Sequence, residues 1–429
     1  MSSLLWIVFF GLMVLGAPIA FAMLIAGLIA VWSKPGLSAL VVMQNLFSGL
    51  DSFPLMAIPF FILAAELMSG GALTEVLLSF AARLVGARRG GLGHANILTM
   101  TFFAGISGSA LADAAGPGAM LIKMMRKAGY DEAYAAALTA SISIVGPIIP
   151  PSIIMIVYAL TDNSVTITGL FLAGVVPGLL IALSLLVVNQ VISVRRNYRS
   201  TTDMLDPTPL LTLFWRALPA LMLPVIILGG IHFGVFTPTE ASAAAVFYAL
   251  LVGRFVYGTL HLDMLPRILF RTALMTASIL FIVSASAVFA WVLTIGQVPQ
   301  MLTQWIGGLQ LSPLVLLLAI NVLLLLVGIF IEPLPAVMIM VPILTPLADA
   351  AGLNPLHFAI VVIVNLTLGM ITPPVGGVLF VTSIVSGVPM GPMVREGKPM
   401  LIALLIVLAL LTYVPAFSTW LPGLLGYRN

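Results

Sequence analysis

The 429-residue sequence contains no cysteine, which excludes disulfides and thiolate metal sites and leaves the redox compartment unreadable. Charge is scarce as well: Asp, Glu, Lys and Arg make up 7% of the residues and the net charge is +3. The basic residues are scattered between apolar runs, with no stripe and no interleaved aromatics, which argues against nucleic acid as a partner. Four histidines, His94, His232, His261 and His357, lie far apart without an HExxH or Ser-His pairing, so nothing points to an intramembrane enzyme. A basic leading segment is also missing. The opening "MSSLLWIVFFGLMVLGAPIAFAMLIAGLIAVW" is too long and too neutral for a signal peptide and reads as a retained first span.

What the chain does have is apolar length. Hydrophobic residues make up 61%, and several runs approach the roughly 20 residues needed to cross a bilayer. Spans are predicted at 4–32, 53–69, 131–160, 169–194, 214–232, 236–258, 272–295, 354–387 and 399–420. Two further apolar stretches, 92–122 and 312–348, are interrupted by small residues or prolines and fit helical hairpins that enter and leave on one side. With these re-entrant there are nine crossings. An internal N-terminus then puts 15 of the 17 basic residues on the cytoplasmic side, leaving Lys34 and Arg428 outside. The C-terminus is expected to be external. The polar stretch "SVRRNYRSTTDMLDPTPLLTLFWR" reads as a cytoplasmic linker between two halves.

Those halves repeat. A shift of 223 residues pairs "GPIIPP" with "GMITPP", matching Gly146 with Gly369, Pro150 with Pro373 and Pro151 with Pro374. Over 102–153 against 325–376 there are eleven identities in 52 positions, and the Gly and Pro matches mark backbone breaks. Five crossings between the hairpins make the repeats opposite in orientation, the arrangement of a secondary transporter. The chain is therefore expected to be an all-α polytopic membrane protein with two inverted repeats, two re-entrant hairpins and two Pro-broken helices. The division is 1–194 (hairpin 92–127, broken helix 131–160), 195–235 (linker and connecting helix) and 236–429 (hairpin 312–350, broken helix 354–387).

Proline removes an N–H and clashes with the preceding turn, so each double proline should unwind its helix and free carbonyl oxygens at membrane depth. Such breaks persist where they line a polar cavity or bind an ion; a kink that only shapes packing is the alternative. The first hairpin carries Ser107, Gly108, Ser109 and Asp113 near its turn. Hydroxyl and carboxylate oxygens suit Na+, whereas small-residue packing would give a similar composition. A carboxylate at membrane depth is by default a functional candidate, although Asp113 can also be read as a solvated tip residue. The second hairpin offers Glu332 at its turn, to bind a cation, to accept from backbone N–H groups or to reach water; we favour the second of these. Glu66 and Glu240 lie near span ends, with Thr237 as N-cap and Glu240 at the third helical position.

Together "GISGSALADAAG", "KAGYDEAYAAALTASISIVGPIIPPSIIMIVYA", "LFLAGVVPGLL", "TPTEASAAAVFY", "NPLHFAIVVIVNLTLGMITPPVG" and "LLTYVPAFSTWLP" resemble the large membrane subunit of TRAP (tripartite ATP-independent periplasmic) transporters over essentially the whole chain. The resemblance implies an elevator-type transporter of the bacterial inner membrane that takes up organic anions with Na+. It implies delivery by a periplasmic substrate-binding protein and a small four-helix membrane subunit, expected as a separate chain because no such helices precede residue 1. Carried over, one Na+ site involves Ser107, Gly108, Ser109, Asp113, Gly146, Pro150 and Ser152. The other involves Glu332, Gly369, Thr372, Pro373, Pro374 and Gly376, and the anion's carboxylate sits near Ser109, Ser152 and Thr372. No cofactor is implied beyond the coupling ion. Pro117 after Gly116 departs from the family pattern and leaves the course of the return arm open. A standalone Na+/carboxylate symporter is the alternative, and the particular anion is not legible.

Overall fold

The computed structural model describes residues 2–34, 37–68, 71–85, 88–198, 208–308 and 312–427, and among these the secondary structure is helical with no strand. The centre of the polar linker, with Arg199, and also Arg428 lie outside the described residues. Six helices combine bilayer-spanning length with apolar composition: Ile167–Arg195, Leu210–His232, Pro238–Val256, Leu262–Ile295, Pro313–Phe330 and Pro333–Ala350. The last two are the arms of the second predicted hairpin.

The first predicted span is corrected. Residues 4–32 do not run as one crossing but as helices Ser2–Val14 and Ile19–Trp32, separated by a turn with Gly16 at φ +82°. Phe9 packs on Phe289 with ring centroids 5.1 Å apart, and a Cβ on Gly27 would stand 2.9 Å from Val288. The middles of the two arms thus lie level with one stretch of the helix Leu265–Ile295, while the start of the second arm, with Phe21 on Phe281, lies further down that helix. The pair is an antiparallel hairpin, so the N-terminus and Trp32 share one side and the nine-crossing count loses its first member. Pro18 cannot continue the first helix and caps the second, and Gly16 supplies the left-handed turn.

From there the elements recur at the same interval found in the sequence. The helix Glu132–Ser143 starts 223 residues before Pro355–Gly369, and Ile167–Arg195 starts 223 before Met390–Tyr413. Local chemistry recurs with them. Asp131 and Asn354 cap the two matching helices, accepting from Tyr134 N at 2.8 Å and His357 N at 2.9 Å. Just before them, Gly129 and Gly352 take φ +82° and +68°, and the bonds Tyr130 N to Met125 O and Leu353 N to Ala348 O close the preceding helices in Schellman fashion. These Gly matches in the sequence therefore mark helix ends.

The repeats interlock reciprocally. The distal half of the first broken helix, Ile153–Thr161, packs on the return arm of the second hairpin, Pro333–Ala350; the distal half of the second, Gly377–Ser386, packs on the return arm of the first, Ala110–Lys127. Mutual contacts of this kind are what a two-fold relation requires. Around this core, Ala57–Met68 packs against Pro238–Leu251 and Leu265–Ile295, and the expected Thr237–Glu240 capping box is present at the start of Pro238–Leu251. The helices Ala39–Ser48, Gly71–Val85 and Val298–Gly308 were not assigned from sequence, being too short and polar to register as spans.

Candidate ion and substrate site

The first broken helix stops at Ser143 and restarts at Ile153, and all but Ile149 of the intervening residues are buried. Ser152 caps the restart, accepting from Met155 N at 3.3 Å and donating to the Pro147 carbonyl. The first hairpin turns directly against this break. Gly108, at φ +63°, ends the outgoing arm, and Ser109 caps the return, accepting from Ala112 N at 3.4 Å. A Cβ on Gly108 would run into the Pro151 carbonyl, and one on Gly146 would stand 2.7 Å from Asp113 Oδ2 and 3.1 Å from the Ser109 carbonyl carbon. The two glycines are small because tip and break occupy the same space.

Asp113 is 1% exposed and neither carboxylate oxygen has a hydrogen-bond partner; the Ser107 side chain is the polar neighbour that bears on it. The reading of Asp113 as a solvated tip residue is thereby corrected: the return arm packs it inward against the break. That arm is itself split at Gly116, with Pro117 starting the segment Pro117–Lys127. The structure thus brings together Ser107, Gly108, Ser109, Asp113, Gly146, Pro150 and Ser152.

The second break is more open. Helix Pro355–Gly369 gives way to Gly377–Ser386, with Pro374 and Val375 exposed. Gly369 lies flush against Gly328 of the second hairpin, and a Cβ there would stand 2.5 Å from both Cα and O of Gly328. Pro150–Pro151 and Pro373–Pro374 are both cis peptides. Gly376, at φ +56°, turns the chain into the distal half. Thr372 donates to Leu368 O at 2.9 Å and lines a separate apolar cavity with Val322, Leu325, Leu401 and Leu405.

Glu332 requires a correction. It occupies the N-cap position of Pro333–Ala350 but makes no capping bond, because its side chain turns into a cavity of about 570 Å³ instead. Gly328, Pro335, Met370 and Val375 line this cavity on one side, and Met13, Pro18, Phe21 and Phe281 on the other. The N-terminal hairpin tip is a wall that sequence reasoning missed; "GAP" at 16–18, inside an apolar run, was the available signal. Among the described residues no three His, Asp or Glu side chains gather as a metal site. What the arrangement supplies is carbonyl and hydroxyl oxygens around one unpaired carboxylate, a donor set suited to a hard monovalent cation.

A family model, "Tripartite ATP-independent periplasmic transporter, DctM component", matches residues 6–417. The chain is 41% identical over 418 residues to the sialic acid TRAP transporter large permease protein SiaM of Vibrio cholerae, covering 97% of each chain. It is also 41% identical over 382 residues to the C4-dicarboxylate TRAP transporter large permease protein DctM of Pseudomonas aeruginosa, covering 89% of each. Among solved structures it is similar in fold to the YdaH transporter of Alcanivorax borkumensis, described as having an unusual topology. That match has a TM-score of 0.64 and 16% identity, with coverage of 94% of this chain and 98% of that one.

Proposed function

The chain belongs to the DctM component family of tripartite ATP-independent periplasmic transporters, and from that premise we propose Na+-coupled uptake of a small carboxylate-bearing organic anion across the bacterial inner membrane. Its relatives are named as transport permeases, so its role is transport and not catalysis. Two of them, each 41% identical over the matched residues, are named for sialic acid and for C4-dicarboxylates, which supports the carboxylate class and leaves the particular anion open.

The observation that carries the Na+ reading is Asp113. A buried carboxylate without partners costs several kcal/mol, and a cation between it and the freed oxygens of 146–152 removes that cost. In this reading the first ion lies among Ser107, Gly108, Ser109, Asp113, Gly146, Pro150 and Ser152. The second lies among Gly369, Thr372, Pro373, Pro374 and Gly376, with Glu332 drawing cations into the adjoining cavity. The anion meets the hydroxyls and helix starts at Ser109, Ser152 and Thr372. Transport follows an elevator course: the interlocked hairpins and broken helices move as a body against a scaffold containing 57–68, 238–256 and 265–295. Repeats at 1–194 and 236–429, joined by 195–235, supply the two end states.

In this reading the N-terminal pair does not cross, eight crossings remain, and with the basic residues inside the N-terminus lies outside with Lys34 and the C-terminus. A separate four-helix membrane subunit and a periplasmic binding protein complete the system. In liposomes containing both membrane subunits and supplied with the binding protein, substrate should accumulate only under an inward Na+ gradient. Uptake indifferent to Na+ overturns the coupling, and uptake by this chain alone converts the assignment to a standalone symporter.

A further inference from the structure

Behind the second break runs a buried polar relay that none of the preceding roles uses. It begins at Thr412, on the closing helix Met390–Tyr413, whose hydroxyl donates to Leu408 O at 2.8 Å and accepts from Asn321 Nδ2 at 3.1 Å. Asn321, on the outgoing arm of the second hairpin, spends its other amide hydrogen on Leu317 O at 2.9 Å. Its Oδ1 is thereby fixed as an acceptor, and it receives Asn365 Nδ2, whose second hydrogen goes to the Asn321 backbone carbonyl at 3.0 Å. Each step has only one polarity, because a primary amide has two hydrogens and a carbonyl has none. The relay ends at Asn365 Oδ1, an acceptor with no donor, on a side chain that is 0% exposed.

Such an atom in a native core calls for an ion or a water. Its position says which. Asn365 stands one helical turn before Gly369, on the same face of the helix Pro355–Gly369 and beside the point where Gly369 meets Gly328. Both of its amide hydrogens are committed to Asn321, so the atom left free one turn from the break is an acceptor alone. The first repeat makes the equivalent provision with a different residue. There the matching position is Ile142, and the unpartnered oxygens belong to Asp113, against Gly146, which is the counterpart of Gly369. We infer that Asn365 Oδ1 is a direct ligand of the cation held at the second break, with Asn321 and Thr412 as positioning residues that turn it toward the ion. The inference rests on the proposed Na+ coupling.

The full chain, purified in detergent, is melted across a range of Na+ concentrations with K+ keeping the ionic strength constant. Unmodified protein should show a saturable rise in melting temperature with Na+. Asn365→Leu, close in size but without the oxygen, should shift the midpoint of that rise at least tenfold toward higher Na+. Asn365→Asp should shift it toward lower Na+, because it adds a charge at the ligating position; this variant also keeps the test decisive if the leucine variant fails to fold. A structural water in place of the ion predicts a lower melting temperature for Asn365→Leu at every Na+ concentration with an unchanged midpoint, and that result overturns the assignment. Unchanged midpoints in both variants overturn it as well, while leaving the Na+ coupling standing. A flat Na+ response in the unmodified chain overturns the coupling itself.

Discussion

Gly369→Ala measures how much the site depends on the backbone contact between the second hairpin and its break. The added Cβ would run into the carbonyl carbon of Gly328 and stand 2.5 Å from its Cα and O, where ordinary contact begins at 3.4 Å, so the arm must retreat by more than 0.9 Å. Neither obstacle is a side chain that can rotate away. Overpacking of this kind costs about 1–3 kcal/mol, and displacing binding groups by about 1 Å costs on the order of 100-fold in function. The reciprocal change, Gly328→Ala, meets Leu366 O at 2.9 Å and Gly369 Cα at 3.2 Å, so it needs only 0.5 Å and should be the milder of the two. Gly229→Ala serves as the control. It sits in the helix Leu210–His232 with no atom within 4 Å of its Cβ and should be neutral or stabilising by about 0.4–1 kcal/mol. Uptake into proteoliposomes and the Na+ midpoint of thermal stability are the readouts. If Gly369→Ala transports at the unmodified rate with an unchanged midpoint, close apposition of Gly328 and Gly369 does not set the site.

Two further substitutions probe the first half. Asp113→Asn removes a charge without changing size, so the protein should melt higher in the absence of Na+ and respond to Na+ at least tenfold more weakly; a lower Na+-free melting temperature with an unaltered Na+ response would return Asp113 to a purely structural role. Ser152→Ala deletes the cap of Ile153–Thr161 and the bond to the Pro147 carbonyl, and should cost about 0.5–2 kcal/mol by thermal melting; no loss would mean that the cap does not hold the break in shape.

The repeat, the hairpins and the breaks were legible because Gly and Pro act on the backbone locally, wherever the rest of the chain goes. Gly129 and Gly352 end helices by taking φ values other residues avoid, and Pro150 and Pro373 remove N–H groups. The N-terminal hairpin was misread because hydropathy averages over its turn: Leu15 to Pro18 occupies too little length to interrupt an apolar window. Glu332 was misread for another reason. Capping is a local rule, but the far wall of the cavity beside Glu332 is built by Met13, Pro18, Phe21 and Phe281, more than 50 positions off in the chain. Asn365 carried no sequence signal at all, since its meaning depends on Asn321 and Thr412 fixing the direction of its amide.

The two halves keep one backbone plan but not one donor set. At the same register stand Ser109 and Glu332, Asp113 and Ala336, Ile142 and Asn365. Backbone symmetry is what alternating access requires, because the two end states exchange the roles of the repeats. Ion affinity carries no such requirement. A carboxylate facing the first break binds either a cation or a proton, whereas an amide oxygen at the second accepts a cation and has no titration near neutral pH. If both oxygens ligate Na+, acid should weaken the first site by protonating Asp113, and Asp113→Asn should remove that dependence; any acid effect on the second site runs through Glu332 in the adjoining cavity, and Glu332→Gln should remove it. Pattern along a single sequence finds the two breaks; what tells them apart chemically is the set of side chains that break the repeat.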